Sequence, residues 1–346
     1  MGLLRKILYP FSILYGEITA VRNKFYNKGV LKSNTFNIPT IVVGNLSVGG
    51  TGKTPLVEYL TRLLQDAYKV AILSRGYKRN SKGFKVADTI TTVSDIGDES
   101  MQYYTKFNKV IVAVDADRVH GITELSKLAN APEIILLDDA FQHRKVEAGL
   151  NILLTSYGNL YVDDKMLPTG NLRERIEGAD RAQIIIITKC PYELTEQQQF
   201  EITKKLKIEL HQTVFFSTIK YGNEIIGKKG ELPINELSNF EILLVTGIAN
   251  TDPLTSFLNS QDIKFQHLKF ADHYNFTEKD HQKIDKRYLK IKTDKKLILT
   301  TEKDFVRSFS GKDKFYYLPI ETEIIDHKED FNKLIKKYVE QSSRNS

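Results

Sequence analysis

Ile41-Val42-Val43-Gly44-Asn45-Leu46-Ser47-Val48-Gly49-Gly50-Thr51-Gly52-Lys53-Thr54-Pro55 decides the fold of this chain. A β-branched run enters the stretch, a glycine-rich turn follows and an amphipathic segment leaves it, the context a phosphate-binding P loop needs. Ser47, Val48, Gly49, Gly50, Thr51, Gly52, Lys53 and Thr54 are the expected cradle. Glycines let successive N–H groups turn toward phosphate oxygens, and the following helix presents its positive end to the same anion. Lys53 is placed to reach the outer phosphates and Thr54 to hold Mg2+. Pro55 suits a first helical turn, where an N–H has no partner. Ser47 stands where the motif usually begins with glycine; Gly49 and Gly50 supply the curvature nearby. The stretch therefore points to a nucleoside triphosphate.

The 346 residues, 41% of them hydrophobic, are enough for one large or two medium globular domains. A lone cysteine, Cys190, excludes a disulfide framework and any multi-cysteine metal site, suits a reducing compartment, and reads as a small buried hydrophobe. The formal charge of +7 favours an anionic partner: nucleotide, nucleic acid or acidic membrane. Charge alone does not choose among them.

Toward the N-terminus, Leu3, Leu4, Ile7, Leu8, Phe11, Leu14, Tyr15 and Ile18 recur at helical spacing, with Arg5, Lys6, Arg22 and Lys24 off the stripe. Such a basic amphipathic helix is too short and too charged to span a bilayer, and no small-residue cleavage site follows it. Lys6 stands where a myristoylation signal needs Ser or Thr. Two placements fit the pattern: in the membrane interface, or with the stripe packed on the protein's own core.

Short apolar runs then alternate with helical patterns: Ile41 to Val43, Val70 to Leu73, Val110 to Val114, Ile134 to Leu137, Ile152 to Leu154 and Ile184 to Ile187. This rhythm predicts an α/β fold, a P-loop NTPase-type parallel sheet with helices on both faces, whose chemistry lies in the loops at the strands' carboxyl ends. Periodicity lapses from Tyr221 to Asn239, and a second, smaller α/β rhythm starts at Ile242. The expected organisation is an interface helix over residues 1–25, a kinase core over 26–220, a linker over 221–239 and a C-terminal domain over 240–346.

Glu133-Ile134-Ile135-Leu136-Leu137-Asp138-Asp139 is a hydrophobic strand ending in two carboxylates, the Walker-B arrangement that completes a Mg2+ site. In a regular strand the two point to opposite faces, so one is expected on the metal and the other on a water or a neighbouring loop. Asp98 and Glu99 fall at an expected helix start. Besides capping that helix, they could divide the parts of base for an acceptor hydroxyl and further metal ligand. Arg75, Arg118, Arg173 and Arg175 lie in loops and, as a group, favour a second phosphate-bearing ligand. His143 follows the acidic pair closely enough to share the site, whereas His273 belongs to the second domain and reaches the site only if the domains close. Neither has metal-ligand company, which argues against zinc.

These residues resemble one family, the tetraacyldisaccharide 4'-kinases of Gram-negative bacteria. The likeness rests on Val43 to Leu46 leading into Gly49 to Pro55, then Ser74-Arg75-Gly76-Tyr77, Gly97-Asp98-Glu99 and Asp138-Asp139-Ala140-Phe141-Gln142-His143. It continues through Leu167 to Glu174, Gly247-Ile248-Ala249-Asn250, Phe270-Ala271-Asp272-His273 and Thr301-Glu302-Lys303-Asp304, in the family's order. The resemblance implies transfer of the ATP γ-phosphoryl group, with Mg2+, to the 4'-hydroxyl of an acylated glucosamine disaccharide 1-phosphate, a lipid A precursor. It also implies a peripheral enzyme on the anionic cytoplasmic face of the inner membrane; no nucleic-acid partner is expected, and the oligomeric state stays open with a monomer favoured. The family's catalytic aspartate falls on Asp98 and its assisting histidine on His273, beside Lys53. Thr54, Glu99, Asp138 and Asp139 are the implied metal ligands, and Arg75, Arg118, Gln142, His143, Asn171, Arg173 and Glu174 the implied substrate-binding set. Ala140, Thr169, Asn171, Thr251 and Tyr274 depart from the family's usual residues, and none of these changes removes a titratable group given a part here.

Two other readings compete. A P-loop GTPase or metallochaperone-like switch would read guanine with Asn/Thr-Lys-x-Asp after a strand, and Thr188-Lys189-Cys190 does follow Ile184 to Ile187. Pro191 then stands where the carboxylate is needed, which favours ATP. A non-enzymatic membrane-binding module would leave the P loop and both acidic pairs unexplained.

Overall fold

The computed structural model describes residue 5 and residues 7–344, which divide into two compact units: the described residues of Met1–Ile219 with Thr322–Ser346, and Lys220–Glu321. In the first unit, strands β1 (Thr40–Asn45), β2 (Val70–Ser74), β3 (Lys85–Val86), β4 (Ile111–Val114), β5 (Ile134–Asp138), β6 (Leu150–Ser156), β7 (Ile184–Thr188) and β8 (Thr213–Tyr221) join a late strand, Ile320–Ile324. The nine-stranded order is Ile320–Ile324, β8, β7, β6, β1, β5, β2, β4, β3. Every pairing from β8 to β4 is parallel, and β3 closes that edge antiparallel.

The expected doubly covered sheet follows from the composition of its strands. All residues of β1, β2, β5 and β7 are buried, which a strand tolerates only when both faces are packed. Alternate residues then serve two cores. Ile41, Val43, Ile134 and Leu136 face one, while Val42, Ile135 and Leu137 face the other. The helix Lys53–Leu64 covers the first face through Leu56, Leu60 and Leu64.

The second unit holds a six-stranded sheet of β9 (Glu224–Gly227), β10 (Gly230–Pro233), β11 (Glu241–Thr246), β12 (Phe265–Lys269), β13 (Lys296–Thr301) and β14 (Phe315–Leu318), ordered β10-β9-β14-β13-β11-β12. Its two faces again pack separate apolar clusters, one around Leu244 and Leu299, the other around Leu243 and Ile298.

Two expected boundaries are corrected. Residues 221–239, expected as a linker, form the β9–β10 hairpin and the 3-10 helix Ile234–Asn239, because Ile225 in β9 and Leu237 in that helix supply buried anchors within elements too short to show a period. The C-terminal domain does not run to residue 346 either. The helix Lys328–Arg344 returns to the first unit, where Phe331, Ile335 and Val339, spaced by one helical turn, are fully buried in its core. Phe331 packs edge-on against Phe215 at 5.1 Å, and Tyr338 Oη donates to the Thr40 carbonyl at 2.9 Å.

In the helix Tyr9–Asn27 the described part of the N-terminal stripe is not packed on the protein's own core; its Leu3 and Leu4 lie outside the described residues. Its inward side is small and polar. Ser12 and Gly16 are buried, Ser12 Oγ donates to Thr169 Oγ1 at 2.7 Å, and Asn23 Nδ2 donates to Glu174 at 2.7 Å. The apolar stripe points away: Ile7, Phe11, Leu14 and Ile18 are 66%, 62%, 60% and 59% exposed. No helix among the described residues is long and apolar enough to cross a membrane.

Phe331→Ala should lower the stability of the first unit by about 3–5 kcal/mol, the usual cost of emptying a buried phenylalanine site. Denaturant unfolding followed by a probe in each unit checks this. A loss confined to the second unit would contradict the return of the C-terminal helix.

Candidate active site

β1 delivers the chain to Asn45, after which the backbone curls from Ser47 to Gly52 and enters the helix at Lys53. Gly49 and Gly52 take positive φ of 117° and 86°, so Gly49 supplies the turn that a glycine at Ser47 would otherwise provide. The loop is braced from outside. Val48 N–H donates to the Asn171 carbonyl at 2.8 Å and Arg173 N–H to the Leu46 carbonyl at 2.7 Å. From β7, Thr188 Oγ1 donates to the Thr51 carbonyl at 2.8 Å. Asn45, a polar residue ending an otherwise apolar strand, donates from Nδ2 to Thr51 Oγ1 at 2.8 Å and accepts from Lys53 Nζ at 3.4 Å. A cavity of about 180 Å³ opens beside the loop, lined by Ser47 to Thr51 and by Leu154, Thr155, Ser156 and Asn159 at the end of β6.

Next to β1, with Val43 opposite Asp138, β5 brings the acidic pair to the loop. The two carboxylates have opposite fates. Asp138 is 6% exposed, and its Oδ1 is buried with no hydrogen-bond partner. Burial first, and then the neighbouring Asp139, push its pKa up to about 7, against the pull of Lys53. Asp139 leaves the strand with φ of 49°, which breaks the regular alternation and swings its carboxylate to the cations. It meets Lys53 Nζ at 3.5 Å and Arg173 Nη1 at 2.9 and 3.1 Å. Burial raises its pKa, but Lys53 and Arg173 outweigh that and hold it below the ordinary value.

Asp98 and Glu99 open the helix Asp98–Lys106, as expected, both half-buried. Gly97 before them has φ of 85°, and a Cβ there would meet the Tyr77 carbonyl at 2.8 Å, so the Ser74–Tyr77 loop seats tightly against this helix start. Ser74 Oγ and Ser100 Oγ lie 2.6 Å apart and pin the helix to the end of β2. Inside, burial and then Asp138 raise the Tyr103 phenol far above its ordinary pKa, and its buried hydroxyl has no hydrogen-bond partner. Glu99 also adds to the raised pKa of Asp138, and Thr54 stands in the first turn of the helix that follows the P loop. Among the described residues no three His, Cys, Asp or Glu side chains form a self-sufficient metal cluster.

The residues expected to bind substrate separate into two groups. Arg75 is exposed beyond β2 and Arg173 half-buried against Asp139. Arg118, by contrast, is 2% exposed and ties strand ends together, donating to the Asp115 carbonyl at 2.9 Å and the Asp138 carbonyl at 3.2 Å. Glu174 is buried and accepts from Asn23, Gln142 and Arg181, while Gln142 also donates to the Asn45 carbonyl at 2.7 Å. Asn171 donates its amide to Asp164 at 3.1 Å. His143 Nε2 accepts the Arg118 N–H at 3.3 Å, and burial followed by Arg118 lowers its pKa to about 4, leaving it a neutral acceptor. Arg118 and Glu174 are both committed within the protein, Arg118 through Nη1 and Nη2 to backbone carbonyls with its buried Nε unpartnered, and Glu174 to three side-chain donors. His273 lies in the second unit with φ of 53°, its N–H on the Gly247 carbonyl at 3.0 Å and its Nε2 3.1 Å from Lys303 Nζ. Since the ammonium donates, that ring nitrogen accepts and Nδ1 carries the proton. Asn45 escaped the sequence reading as a site residue, its signal being a polar residue that ends an apolar strand, and Lys189 entered it only through the competing guanine-reader pattern.

A P loop on the central strand of a doubly covered parallel sheet, with a buried acid at the end of the next strand, defines a nucleotide-dependent kinase of the P-loop class. The model of the tetraacyldisaccharide-1-P 4'-kinase family matches residues 4–340, and this chain belongs to that family. It is 49% identical to the tetraacyldisaccharide 4'-kinase of Flavobacterium johnsoniae over 99% of both chains, and 46% identical to that of Bacteroides thetaiotaomicron over 99% of this chain and 95% of the other. The crystal structure of LpxK from Aquifex aeolicus in complex with ATP superposes with a TM-score of 0.77 at 32% identity, covering 97% of this chain and 100% of that one. The GTPase or metallochaperone-like reading is not favoured by these relationships.

Asp138 gives a pH signature. A folded-state pKa of about 7 against an ordinary value of 3.8 means that the folded protein alone keeps the proton between those values. Stability conferred by that proton is therefore lost as pH rises from 3.8 toward 7. Asp138→Asn should gain stability relative to the unsubstituted protein across this window, measured as Tm against pH without nucleotide or metal. A flat difference would mean that Asp138 is ionised throughout.

Proposed function

We propose that the chain transfers the γ-phosphoryl group of ATP to the 4'-hydroxyl of an acylated glucosamine disaccharide 1-phosphate. The observation that carries this reading is the whole-length family match joined to a P loop whose Lys53 lies at the acidic end of β5. Without nucleotide Lys53 rests between Asn45 and Asp139; with ATP it turns to the outer phosphates, and Arg173 keeps Asp139 neutralised. The acceptor oxygen attacks the γ-phosphorus, the bond to the β–γ bridging oxygen breaks, ADP leaves, and the hydroxyl proton passes to a carboxylate. Asp98 is that carboxylate: it lies half-buried at a helix start, whose dipole favours negative charge, and the exposed Arg75 of the adjoining loop meets the substrate's phosphate. His273 assists the proton transfer on the strength of its motif.

The donor set fits Mg2+. Asp138 Oδ1 is a buried oxygen lacking a partner, Glu99 acts on the same carboxylate, Thr54 follows the P-loop lysine, and the sparse carboxylates leave the remaining ligands to phosphate and water, as Mg2+ prefers. When bound, the ion neutralises charge developing on the β and γ oxygens. Asp139 keeps Arg173 as its partner when Lys53 turns to the phosphates, and it is placed outside the ion's ligands. The exposed stripe Ile7, Phe11, Leu14 and Ile18, on a helix flanked by Arg5 and Arg22, supports a peripheral seat on the anionic cytoplasmic face of the inner membrane.

Incubation with γ-labelled ATP and the disaccharide 1-phosphate should place label on the 4'-oxygen, and label confined to inorganic phosphate would overturn the reading. Asp98→Asn should lower turnover by about 10²- to 10⁴-fold with ATP affinity unchanged. His273→Ala should lose less, and the double variant should be no worse than Asp98→Asn, since residues acting as one unit do not multiply their losses. A multiplied loss would separate His273 from the proton transfer.

Phe11→Glu with Leu14→Glu should abolish co-sedimentation with anionic phospholipid vesicles while the melting temperature holds, because both side chains are open to solvent. Unchanged sedimentation of the folded variant would assign membrane attachment elsewhere.

A further inference from the structure

Glu58 sits on the helix Lys53–Leu64 among the buried apolar residues Leu56, Val57 and Leu60, and is itself 0% exposed. A glutamate is almost never taken out of water so completely unless it is paired. Its partners come from two helices. Oε1 accepts from Gln102 Nε2 at 2.8 Å and Oε2 from Lys106 Nζ at 2.7 Å, while Arg62 Nη1 lies 3.7 Å from Oε2. Gln102 and Lys106 belong to the helix Asp98–Lys106. One buried carboxylate thus joins the helix that leaves the P loop to the helix that begins with Asp98.

Helical spacing ties these contacts to the site, since residues four apart share one side of a helix. Thr54, Glu58 and Arg62 form such a row on the first helix, and Asp98, Gln102 and Lys106 form one on the second. The rows face each other: Glu58 meets Gln102 and Lys106, and the Arg62 guanidinium lies over the Phe107 ring at 6.0 Å. Apolar contact has no direction, whereas a carboxylate whose two oxygens hold donors one turn apart also fixes the axial offset of the helices. The contact between Ser74 and Ser100 pins the start of the second helix to the end of β2, and Glu58 supplies the second point that sets its direction. We propose that Glu58 is a positioning residue for phosphoryl transfer: through Gln102 and Lys106 it holds the Asp98 carboxylate at the offset from the P-loop helix that the reaction needs. Fully buried, it touches no ligand and acts only through Asp98. This inference rests on Asp98 as the base in the kinase reading.

The test is a cycle between Glu58→Ala and Asp98→Asn, read as kcat, KM for the disaccharide 1-phosphate and ATP affinity by calorimetry, with melting curves to confirm folding. Glu58→Ala should lower kcat about 10²-fold, the scale of a misplacement of about 1 Å, while ATP affinity and KM stay within about twofold. Added to Asp98→Asn, it should cost less than about twofold more, because an offset has no effect once the base it places is gone. Multiplied losses, or a fall in ATP affinity equal to that in kcat, would make Glu58 a brace of the fold or of the P loop and overturn the proposal. Gln102→Met keeps the Lys106 ion pair and tests the offset even where Glu58→Ala does not fold. It should lower kcat about tenfold, again with no further loss in the Asp98→Asn background, and an unchanged kcat would overturn the proposal. Absence of transfer by the unsubstituted protein would sink the kinase reading instead.

Discussion

The parallel pairing of Thr40–Asn45 with Ile134–Asp138 is the constraint on which the rest of the first unit depends. Both strands are buried on both faces, so a one-residue slip would move each apolar side chain to the opposite core and is strongly disfavoured. That fixed register puts Val43 opposite Asp138 and brings Lys53, at the end of the loop leaving β1, to the residue that follows β5. Hydrophobic burial thus sets the spacing of the charged groups. No charged pair could do this by itself, because ion pairs near a surface contribute little.

Within that frame, two adjacent aspartates acquire different chemistry from one backbone angle. The positive φ of Asp139 turns its carboxylate to Lys53 and Arg173, where it stays ionised. Asp138, left behind in the regular strand, keeps a buried oxygen without a partner and a raised pKa. A site in which one carboxylate already neutralises the P-loop lysine while its neighbour waits uncompensated is arranged to receive positive charge together with phosphate. A buried carboxylate oxygen without a partner carries a desolvation cost in the folded protein.

The polar groups around Glu174 perform a different task. Asn23 of the N-terminal helix, Gln142 after the acidic pair and Arg181 all donate to this one buried carboxylate, and Gln142 continues to the Asn45 carbonyl at the foot of the P loop. The helix carrying the exposed apolar stripe is therefore wired to the nucleotide site by hydrogen bonds, not by hydrophobic packing. This explains how its apolar side remains turned outward: the inward side is occupied by Ser12, Gly16 and Asn23.

The sequence by itself determined the sheet, the P loop, the acidic strand end and the family. Each of these rests on local pattern: β-branched runs bury as strands, glycines permit the loop, and the ordered motifs can be read residue by residue. Only the tertiary structure decided which way the amphipathic helix faces, since helical period marks a stripe but not its partner. It alone returned Phe331, Ile335 and Val339 to the first core. It also divided Asp138 from Asp139, took Arg118 and Glu174 into the scaffold and turned Lys189 onto Gly50. The physical reason is common to all of these. Burial, hydrogen-bond partners and the sign of φ at a strand end are set by residues far away in the chain, and they decide what a charged side chain can do.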